Sequence, residues 1–406
     1  SYLIMFKSLS LKVIIFGFIF TFFSSFGQSF FLGIFNSSIR NELSITHGQF
    51  GSIYASATLT SSFILIWLGK KIDDISISKF AFLVILLLAF SCFFFSKIST
   101  VPILFIAILL MRFSGQGMMS HTATTTISRF FTKSRGKALS TGWFGLSTAE
   151  FILPVLMIYL LSIIDWKNIW LIISICILIF LPITSYFLTK DLNFDSREKS
   201  DNETSTDTNY KQWKRVEVIK DYRFYILCAN MLAMPSIATG TFVYQSFILS
   251  SKNWGPYIIA QSFMVYSILS VLTLILSGFL IDKFTSRKIL IFMNIPLFFA
   301  AVVLFSFNQP FSSFILFGLI GISNGLCNVL GSSTWAEIYG VKHIGSIKAL
   351  TTALMVFATA SGTAIFGVLI DKGYSIEQIS LFSLGYISIS IVSLFLIREK
   401  LNPIKI

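Results

Sequence analysis

Hydrophobic residues run along this chain in twelve long stretches separated by polar segments. An α-helix rises about 1.5 Å per residue, so about 20 apolar residues cross the roughly 30 Å hydrocarbon core of a bilayer. The stretches therefore predict twelve transmembrane helices. The first six cover residues 13–35, 50–68, 80–95, 101–125, 139–163 and 169–188. The second six cover residues 222–249, 257–281, 289–305, 311–336, 347–370 and 379–397.

The composition agrees with a membrane protein. Of the 406 residues, 55% are hydrophobic and 12% are charged, and the mean hydropathy is +0.80. These values lie far from those of soluble globular domains. The four cysteines stand singly in apolar stretches without metal-site spacing, which favours buried packing residues. The sequence predicts an all-α integral membrane protein that needs no cofactor or metal.

The positive residues behind the net charge of +13 are concentrated in alternate loops between the predicted spans. Of the 31 Lys and Arg residues, 25 fall in alternate loops, the termini or the span ends next to them, where Arg223 and Lys348 lie; five fall in the other loops, and Arg112 falls deep within a span. Loops on the cytoplasmic side carry such an excess. We therefore predict a multi-pass protein of the cell (inner) membrane, in contact with the lipid bilayer, with both termini in the cytoplasm. This distribution argues against a nucleic-acid partner.

A polar, low-complexity segment at residues 195–209 divides the chain. Such a composition cannot bury a core. It predicts a cytoplasmic linker at residues 191–221 between a six-helix bundle at 1–190 and a second one at 222–406.

The two halves repeat one plan. Gly69 and Asp73 after the second span match Gly278 and Asp282 after the eighth, with 282 − 73 = 209. The motif Lys-Ala-Leu that opens the fifth span at residue 137 recurs at residue 348, with 348 − 137 = 211. Two parallel, pseudo-symmetric membrane halves are typical of transporters that work by alternating access.

These motifs resemble the major facilitator superfamily over nearly the whole chain outside the linker. Gly69 and Asp73 match the family's Gly-x-x-x-Asp signature, whereas Asp74 and Ser76 stand where Arg and Gly are usual. The fourth span's Arg112-Phe-Ser-Gly115-Gln-Gly117 resembles the family's Arg-x-x-x-Gly element, with the first Gly one place early. The second copy of the loop signature is closer and reads Gly278, Asp282, Lys283, Arg287 and Lys288.

The resemblance implies a secondary transporter that functions as a monomer and is not an enzyme. More narrowly, Arg135-Gly136-Lys137-Ala138, with Gly145 and Pro154 in the same span, is similar to the monocarboxylate and oxalate/formate antiporter branch. That branch implies an organic anion as the substrate.

Arg112 and Glu150 are the charged residues that lie deep inside predicted spans. Counted along consecutive antiparallel helices, they lie roughly 16 Å and 20 Å from the outer ends of their spans, so an ion pair is geometrically possible. Intramembrane charges mark function by default. In the functional interpretation Arg112 binds a substrate carboxylate and Glu150 carries a coupling proton. The alternative is a permanent salt bridge that holds two helices together.

Polar residues also recur at helical spacing on the first, fourth, seventh and tenth spans, which the resemblance predicts to line the cavity. We predict substrate contacts from Gln28, Asn230, Gln245, Asn324 and Asn328. Thr21 and Ser24 share the face of Gln28. The alternative is hydrogen bonding between helices, which is common in membrane bundles. His121 lies nine residues after Arg112, so at 100° per residue it faces the opposite way.

Charged residues at the inner ends of the spans predict a gate. The resemblance implies that Asp73 and Asp282 pair with Arg135 or Lys342 to hold the inner side closed. The alternative is a set of solvated helix-end charges, since exposed pairs contribute little. Glu337 also lies near this interface.

Other functional classes lack their expected features. The three histidines, His47, His121 and His343, are widely spread, and the chain has no phosphate-binding Gly-x-x-x-x-Gly-Lys loop. A channel fits two unlike halves less well than a carrier, and the absence of a sizeable soluble domain argues against a non-transporting receptor. We predict transport of a small monovalent organic anion with a proton or an exchanged anion as partner; a multidrug exporter is the alternative, given the 16% aromatic content.

Overall fold

The computed structural model describes residues 2–131, 135–192, 209–340 and 342–406. Twelve helices in these residues are long and apolar enough to span a membrane, as predicted. The first six are α1 Lys7–Gly27, α2 His47–Leu68, α3 Ile77–Phe95, α4 Val101–Ile127, α5 Lys137–Leu161 and α6 Trp166–Thr189. The second six are α7 Tyr222–Val243, α8 Ile258–Phe284, α9 Ser286–Ser306, α10 Phe311–Tyr339, α11 Ser346–Asp371 and α12 Ile376–Leu401.

The chain folds into two compact units. The first comprises Ser1–Thr46 and Ser52–Thr204, and the second comprises His47–Gly51 and Ser205–Ile406. Of the predicted linker, residues 193–208 lie outside the described residues. Residues 209–221 are ordered on the second unit because they are less polar than a free linker: Trp213 and Val218 are buried there.

Within the first unit α1 and α5 pack closely because small residues face each other. The Thr21 hydroxyl donates to the carbonyl of Gly142 at 2.6 Å. A side chain at Gly145 would collide with the Phe18 carbonyl oxygen and with Thr21. Small residues at such contacts let helix backbones approach each other in membranes. Thr21 therefore faces α5, as the helix-contact alternative proposes.

We expect Gly145→Ala to destabilise the protein by about 1–3 kcal/mol, because its methyl group would overpack against backbone that cannot move aside. Gly385→Ala is the matched control, since it also lies within a helix but a Cβ there meets no atom within 4 Å. Removing that helical glycine should be neutral or stabilising, by up to about 1 kcal/mol. Thermal unfolding of both purified variants measures the difference. Equal stabilities would contradict tight packing at Gly145.

Aromatic residues fill the first unit beside the chain that follows α1. Trp170 of α6 lies edge-on to Phe31, with ring centroids 5.4 Å apart, and 4.2 Å from Phe95 of α3. All three side chains are fully buried. This packing fixes residues 29–35 against α3 and α6.

Asparagine side chains join three helices of the second unit. Asn230 of α7 donates to the Ser390 carbonyl of α12 at 2.9 Å, and Asn294 of α9 donates to the Asn230 carbonyl at 2.8 Å. At the start of α7, Asp221 accepts from Arg223 and from the Tyr339 hydroxyl. These buried bonds hold α7 to α9, α10 and α12.

The predicted continuous spans 13–35 and 222–249 are interrupted. α1 ends in a 3₁₀ turn, Ser25–Gly27, and further short turns, Ser29–Leu32 and Gly33–Phe35, precede an eight-residue helix, Asn36–Leu43. α7 is regular to Val243, deviates only at Tyr244, and continues as the eight-residue helix Gln245–Lys252. We call Asn36–Leu43 and Gln245–Lys252 the half-helices.

Candidate functional site

The first unit contains a polar site where α1 loses its helical hydrogen bonds. Gln28 is extended, with φ −86° and ψ 154°. The following amides, Phe31 and Leu32, both donate to the Gln28 carbonyl, so the carbonyl of Gly27 is left without its helical donor. Non-helical backbone at membrane depth occurs only where it is buried in protein or lines a cavity.

Arg112 satisfies this carbonyl. Its Nη1 donates to the Gly27 oxygen at 2.9 Å, and its guanidinium lies 5.3 Å from the ring of Tyr54 on α2. The Tyr54 hydroxyl is 2.7 Å from Ser29 Oγ, so α2 and the chain after the break are joined at the same place. Arg112 is buried, with 3% of its surface exposed. The cation is therefore held at the break of α1.

α4 presents Arg112 on an eight-residue π-helix, Arg112–Met119. Such insertions in α-helices are frequent at functional sites. Gly115 of this segment lies against Gly27: a Cβ at Gly115 would be 2.7 Å from the Gly27 nitrogen and 2.9 Å from its Cα. Because only glycine allows this approach, the π-helix and the break of α1 pack backbone to backbone.

Several polar atoms at this place have no partner among the described residues. They are the Nε of Arg112 and the hydroxyls of Ser25 and Ser114, all three buried. Each unsatisfied buried donor or acceptor costs about 1–3 kcal/mol. They lie on the turn that ends α1 and on the π-helix that packs against it, and each is able to bind a polar ligand.

Glu150 lies at the same level. α1 and α5 run in parallel, with Gly142 beside Gly17 and Gly145 beside Phe18 and Thr21. Glu150 is five residues beyond Gly145, about 7.5 Å further along α5. That height matches the turn Ser25–Gly27, six residues or fewer beyond Thr21 on α1.

The predicted ion pair between Arg112 and Glu150 is not formed. Arg112 is bound to Gly27 and faces Tyr54, and no hydrogen-bond or ion-pair partner of Glu150 lies among the described residues. The residue is 9% exposed. The pair fails because the carbonyl freed by the break of α1 takes the guanidinium that Glu150 was expected to bind.

A model of the Major Facilitator Superfamily matches residues 17–363. The chain belongs to this superfamily. Its members are transporters. The chain is therefore a multi-pass membrane protein whose twelve apolar helices span the membrane. No curated protein sequence matches the chain.

Solved structures of superfamily transporters share the fold. The nucleoside transporter NupG superimposes with a TM-score of 0.70 at 15% identity, covering 97% of this chain and 98% of that one. A bacterial homologue of the human lysosomal transporter Spinster, in an inward-facing and occupied conformation, gives 0.71 at 12% identity, with 97% of each chain covered. At these identities the likeness shows the fold alone.

The other predicted substrate residues fall into two groups, those that are buried and those that are at least partly exposed. Asn230 is 1% exposed and its amide is bonded to neighbouring helices, so the helix-contact alternative describes it. Gln245 is buried and donates to the Phe242 carbonyl. Gln28, at the break of α1, is half-buried, and Asn328 is exposed. Asn324 is half-buried and donates to Ser270 Oγ at 2.7 Å.

The predicted gate is only partly described. The side chains of Asp73 and Arg135 lie outside the described residues, and Asp282 is exposed. Glu337 pairs with Arg287 and accepts from the Ser286 amide at 2.9 Å. Both partners of the Glu337 carboxylate lie at the start of α9, which packs against α10.

His121 is half-buried. Its Nε2 lies 2.8 Å from the Gly69 carbonyl at the end of α2. Because residues 112–119 are π-helical, rotation at 100° per residue does not apply between Arg112 and His121. Last-turn carbonyls of helices commonly accept from such side chains. No group of three or more His, Cys, Asp or Glu in the described part of the chain could hold a metal ion.

Sequence reasoning missed Gly27, Tyr54 and Ser114. Gly27 was the available signal, since glycine inside an apolar run weakens a helix. Tyr54 and Ser114 lie in apolar spans, and nothing in the surrounding sequence distinguishes them as site residues. Their placement depends on how α2, α4 and the chain after α1 meet.

Proposed function

We propose that this chain is a secondary active transporter that moves a small monovalent organic anion, such as a monocarboxylate, across the cell (inner) membrane by alternating access. We also propose that it acts as a monomer with both termini in the cytoplasm, in line with the loop distribution of Lys and Arg. Membership of the superfamily supports transport of a small molecule. The anion assignment rests on Arg112.

The observation that carries the proposal is the free edge of the Arg112 guanidinium. Nη1 is committed to Gly27, and Nε has no partner among the described residues. A carboxylate binds arginine through two parallel hydrogen bonds, and Nε with Nη2 forms one such edge. One cation with one open edge suits a single negative charge. The hydroxyls of Ser25 and Ser114 supply further polar contacts, and Gln28 follows Gly27 directly in the chain.

Glu150 supports coupling to a proton. Moving an unpaired carboxylate out of water costs far more than moving the neutral acid, so a buried acid without a cation is a natural proton carrier. In this proposal Glu150 gains and loses its proton as the site faces each side. Exchange of one anion for another is the alternative form of coupling, and it leaves Glu150 without a role.

The aromatic residues give no support to a multidrug exporter. Many large aromatic side chains project from the surface of their units, where a bilayer would solvate them; examples are Phe63, Phe180, Phe279 and Phe311. Others, such as Trp170, are fully buried in packed clusters.

Uptake into proteoliposomes tests the proposal. Radiolabelled small carboxylates and one nucleoside are offered with and without an inward proton gradient, to wild type, Glu150→Gln and the exposed-acid control Glu399→Gln. We expect uptake of at least one monocarboxylate, stimulated by the gradient in wild type and the control but not in Glu150→Gln. If folded protein takes up no carboxylate, or only the nucleoside, the anion proposal is wrong. If Glu150→Gln still responds to the gradient, the proton site lies elsewhere.

A further inference from the structure

A short helix, Arg215–Ile219, lies directly before α7 in the chain. α7 starts at Tyr222, and its first turn carries two exposed tyrosines, Tyr222 and Tyr225. Tyrosines exposed at the end of a span are typical of the boundary between lipid and water. Because only two residues separate the short helix from this turn, it lies at the level of the lipid headgroups.

The short helix has a buried face and an exposed apolar face. Val218 is fully buried in the second unit, whereas Val216 is 63% exposed and Ile219 is 41% exposed. Residues three positions apart are neighbours on a helix surface, so Val216 and Ile219 form one apolar patch. The Tyr225 hydroxyl donates to the Ile219 carbonyl at 2.7 Å, which holds this patch against the first turn of α7. Such an apolar face lets an amphipathic segment enter the membrane interface.

Basic residues flank the apolar patch in the chain. Three of them are exposed: Lys214, Arg215 and Lys220. The two acids of the same segment pair with other cations, since Glu217 binds Lys211 and Asp221 binds Arg223. The segment therefore presents an excess of positive charge beside its apolar patch.

The end of α12 brings further cations to the same place. The Lys400 carbonyl accepts from Nη1 of Arg223 at 2.7 Å, and Lys405 forms an antiparallel bridge with Tyr210. Both lysines are exposed. The residues before α7 and the residues that end the chain therefore form one surface.

This surface is fixed to the second unit. The guanidinium of Arg223 lies 5.4 Å from the ring of Trp213 and 5.9 Å from the ring of Tyr339. The Trp213 amide donates to the Tyr339 carbonyl at 3.0 Å, and all three residues are buried. Because the backbone is held in this way, the basic residues keep their places around Val216 and Ile219.

We propose that residues 209–225 and 398–406, the basic platform, bind the headgroups of anionic phospholipids while Val216 and Ile219 enter the interface. The basic platform carries eight Lys and Arg and three Asp and Glu. Clusters of this kind next to a span attract anionic lipid. The apolar patch favours a lipid over a soluble anion, because only a lipid offers hydrocarbon beside its phosphate. With the termini in the cytoplasm, an orientation that rests on the proposed function, the lipid belongs to the cytoplasmic leaflet.

Fluorescence quenching at the apolar patch tests the lipid preference. A nitrobenzoxadiazole fluorophore is attached to Val216→Cys, and Cys176→Ala removes the exposed native thiol. The full chain is reconstituted in phosphatidylcholine vesicles in which the same fraction of lipid is either brominated phosphatidylglycerol or brominated phosphatidylcholine. Brominated acyl chains quench the fluorophore on contact. We expect the anionic lipid to quench roughly twofold more, and we expect added salt to reduce this ratio.

Two charge variants assign the preference to the platform. One replaces its three exposed cations before α7 with Gln: Lys214, Arg215 and Lys220. The matched control removes the same charge from three other helix ends, where the exposed cations are Lys79, Lys97 and Lys372. The quenching ratio should fall towards one in the platform variant and stay at the wild-type value in the control.

Three results would overturn the proposal. Equal quenching by both lipids would mean that Val216 contacts the bilayer without selecting a headgroup. No quenching by either lipid would mean that the platform faces water or another protein. An equal fall of the ratio in both charge variants would mean that total charge, and not this surface, attracts the lipid. Because no substrate is added, each of these results leaves the anion proposal untouched, and failure of carboxylate uptake leaves the quenching ratio unaffected.

Discussion

Replacing Arg112 with Gln is expected to lower carboxylate uptake at subsaturating concentration by roughly 100-fold or more. The physical reason is the loss of two charge-assisted hydrogen bonds to the substrate, each contributing about 1.5–3 kcal/mol, where 1.4 kcal/mol is a factor of ten. Gln at this position can still donate to the Gly27 carbonyl, which keeps part of the local structure. Initial rates of uptake into proteoliposomes measure the effect.

Arg112→Lys separates charge from geometry. Lysine keeps the positive charge but offers no planar pair of donors, so we expect uptake between that of wild type and Arg112→Gln. Thermal unfolding of each variant reports whether the protein is folded. Wild-type uptake by Arg112→Lys would mean that a point charge suffices. Wild-type uptake by folded Arg112→Gln would remove Arg112 from the binding site altogether.

Hydropathy predicted the twelve spans and the all-helical class because burial in lipid demands long apolar runs whose backbone bonds are satisfied locally. The repeat was visible for a related reason. Loop signatures such as Gly278 and Asp282 are short and local, so their spacing survives in the sequence. These features need no knowledge of which helices touch.

The break of α1 could not be predicted in the same way. Residues 25–35 read Ser-Phe-Gly-Gln-Ser-Phe-Phe-Leu-Gly-Ile-Phe and are apolar enough for a helix. Tertiary contacts stabilise the irregular backbone: Arg112 donates to the Gly27 carbonyl, and Gly115 packs against Gly27. The sequence of α1 alone does not show that α4 supplies the hydrogen-bond donor and the packing contact for its irregular backbone.

Helical spacing also cannot distinguish a cavity from a neighbouring helix. Gln28 and Asn230 were both predicted to contact substrate from the same kind of pattern. Gln28 lies at a break beside a buried cation, whereas Asn230 bonds to the Ser390 carbonyl on α12. Both faces are polar because both satisfy hydrogen bonds inside a membrane. Only the packing of the bundle decides which polar face binds a ligand.

The fully buried lysine of the second unit leads to the largest expected loss of stability. Lys252→Met removes the ammonium that serves three oxygen acceptors and Glu377, and leaves them without that donor. Breaking a buried pair costs about 3–5 kcal/mol, and the lower end applies because Glu377 is 36% exposed. For a unit of this size we expect a fall in Tm on the order of 10 °C.

Lys167→Met is the matched control, since Lys167 holds the equivalent, exposed pair with Glu42 in the first unit. It should change the free energy of unfolding by no more than about 1 kcal/mol, because water replaces the lost partner of an exposed carboxylate. Thermal unfolding of both variants in the same detergent compares the pairs directly. If Lys252→Met lowers Tm no further than Lys167→Met, the buried pair does not anchor its half-helix.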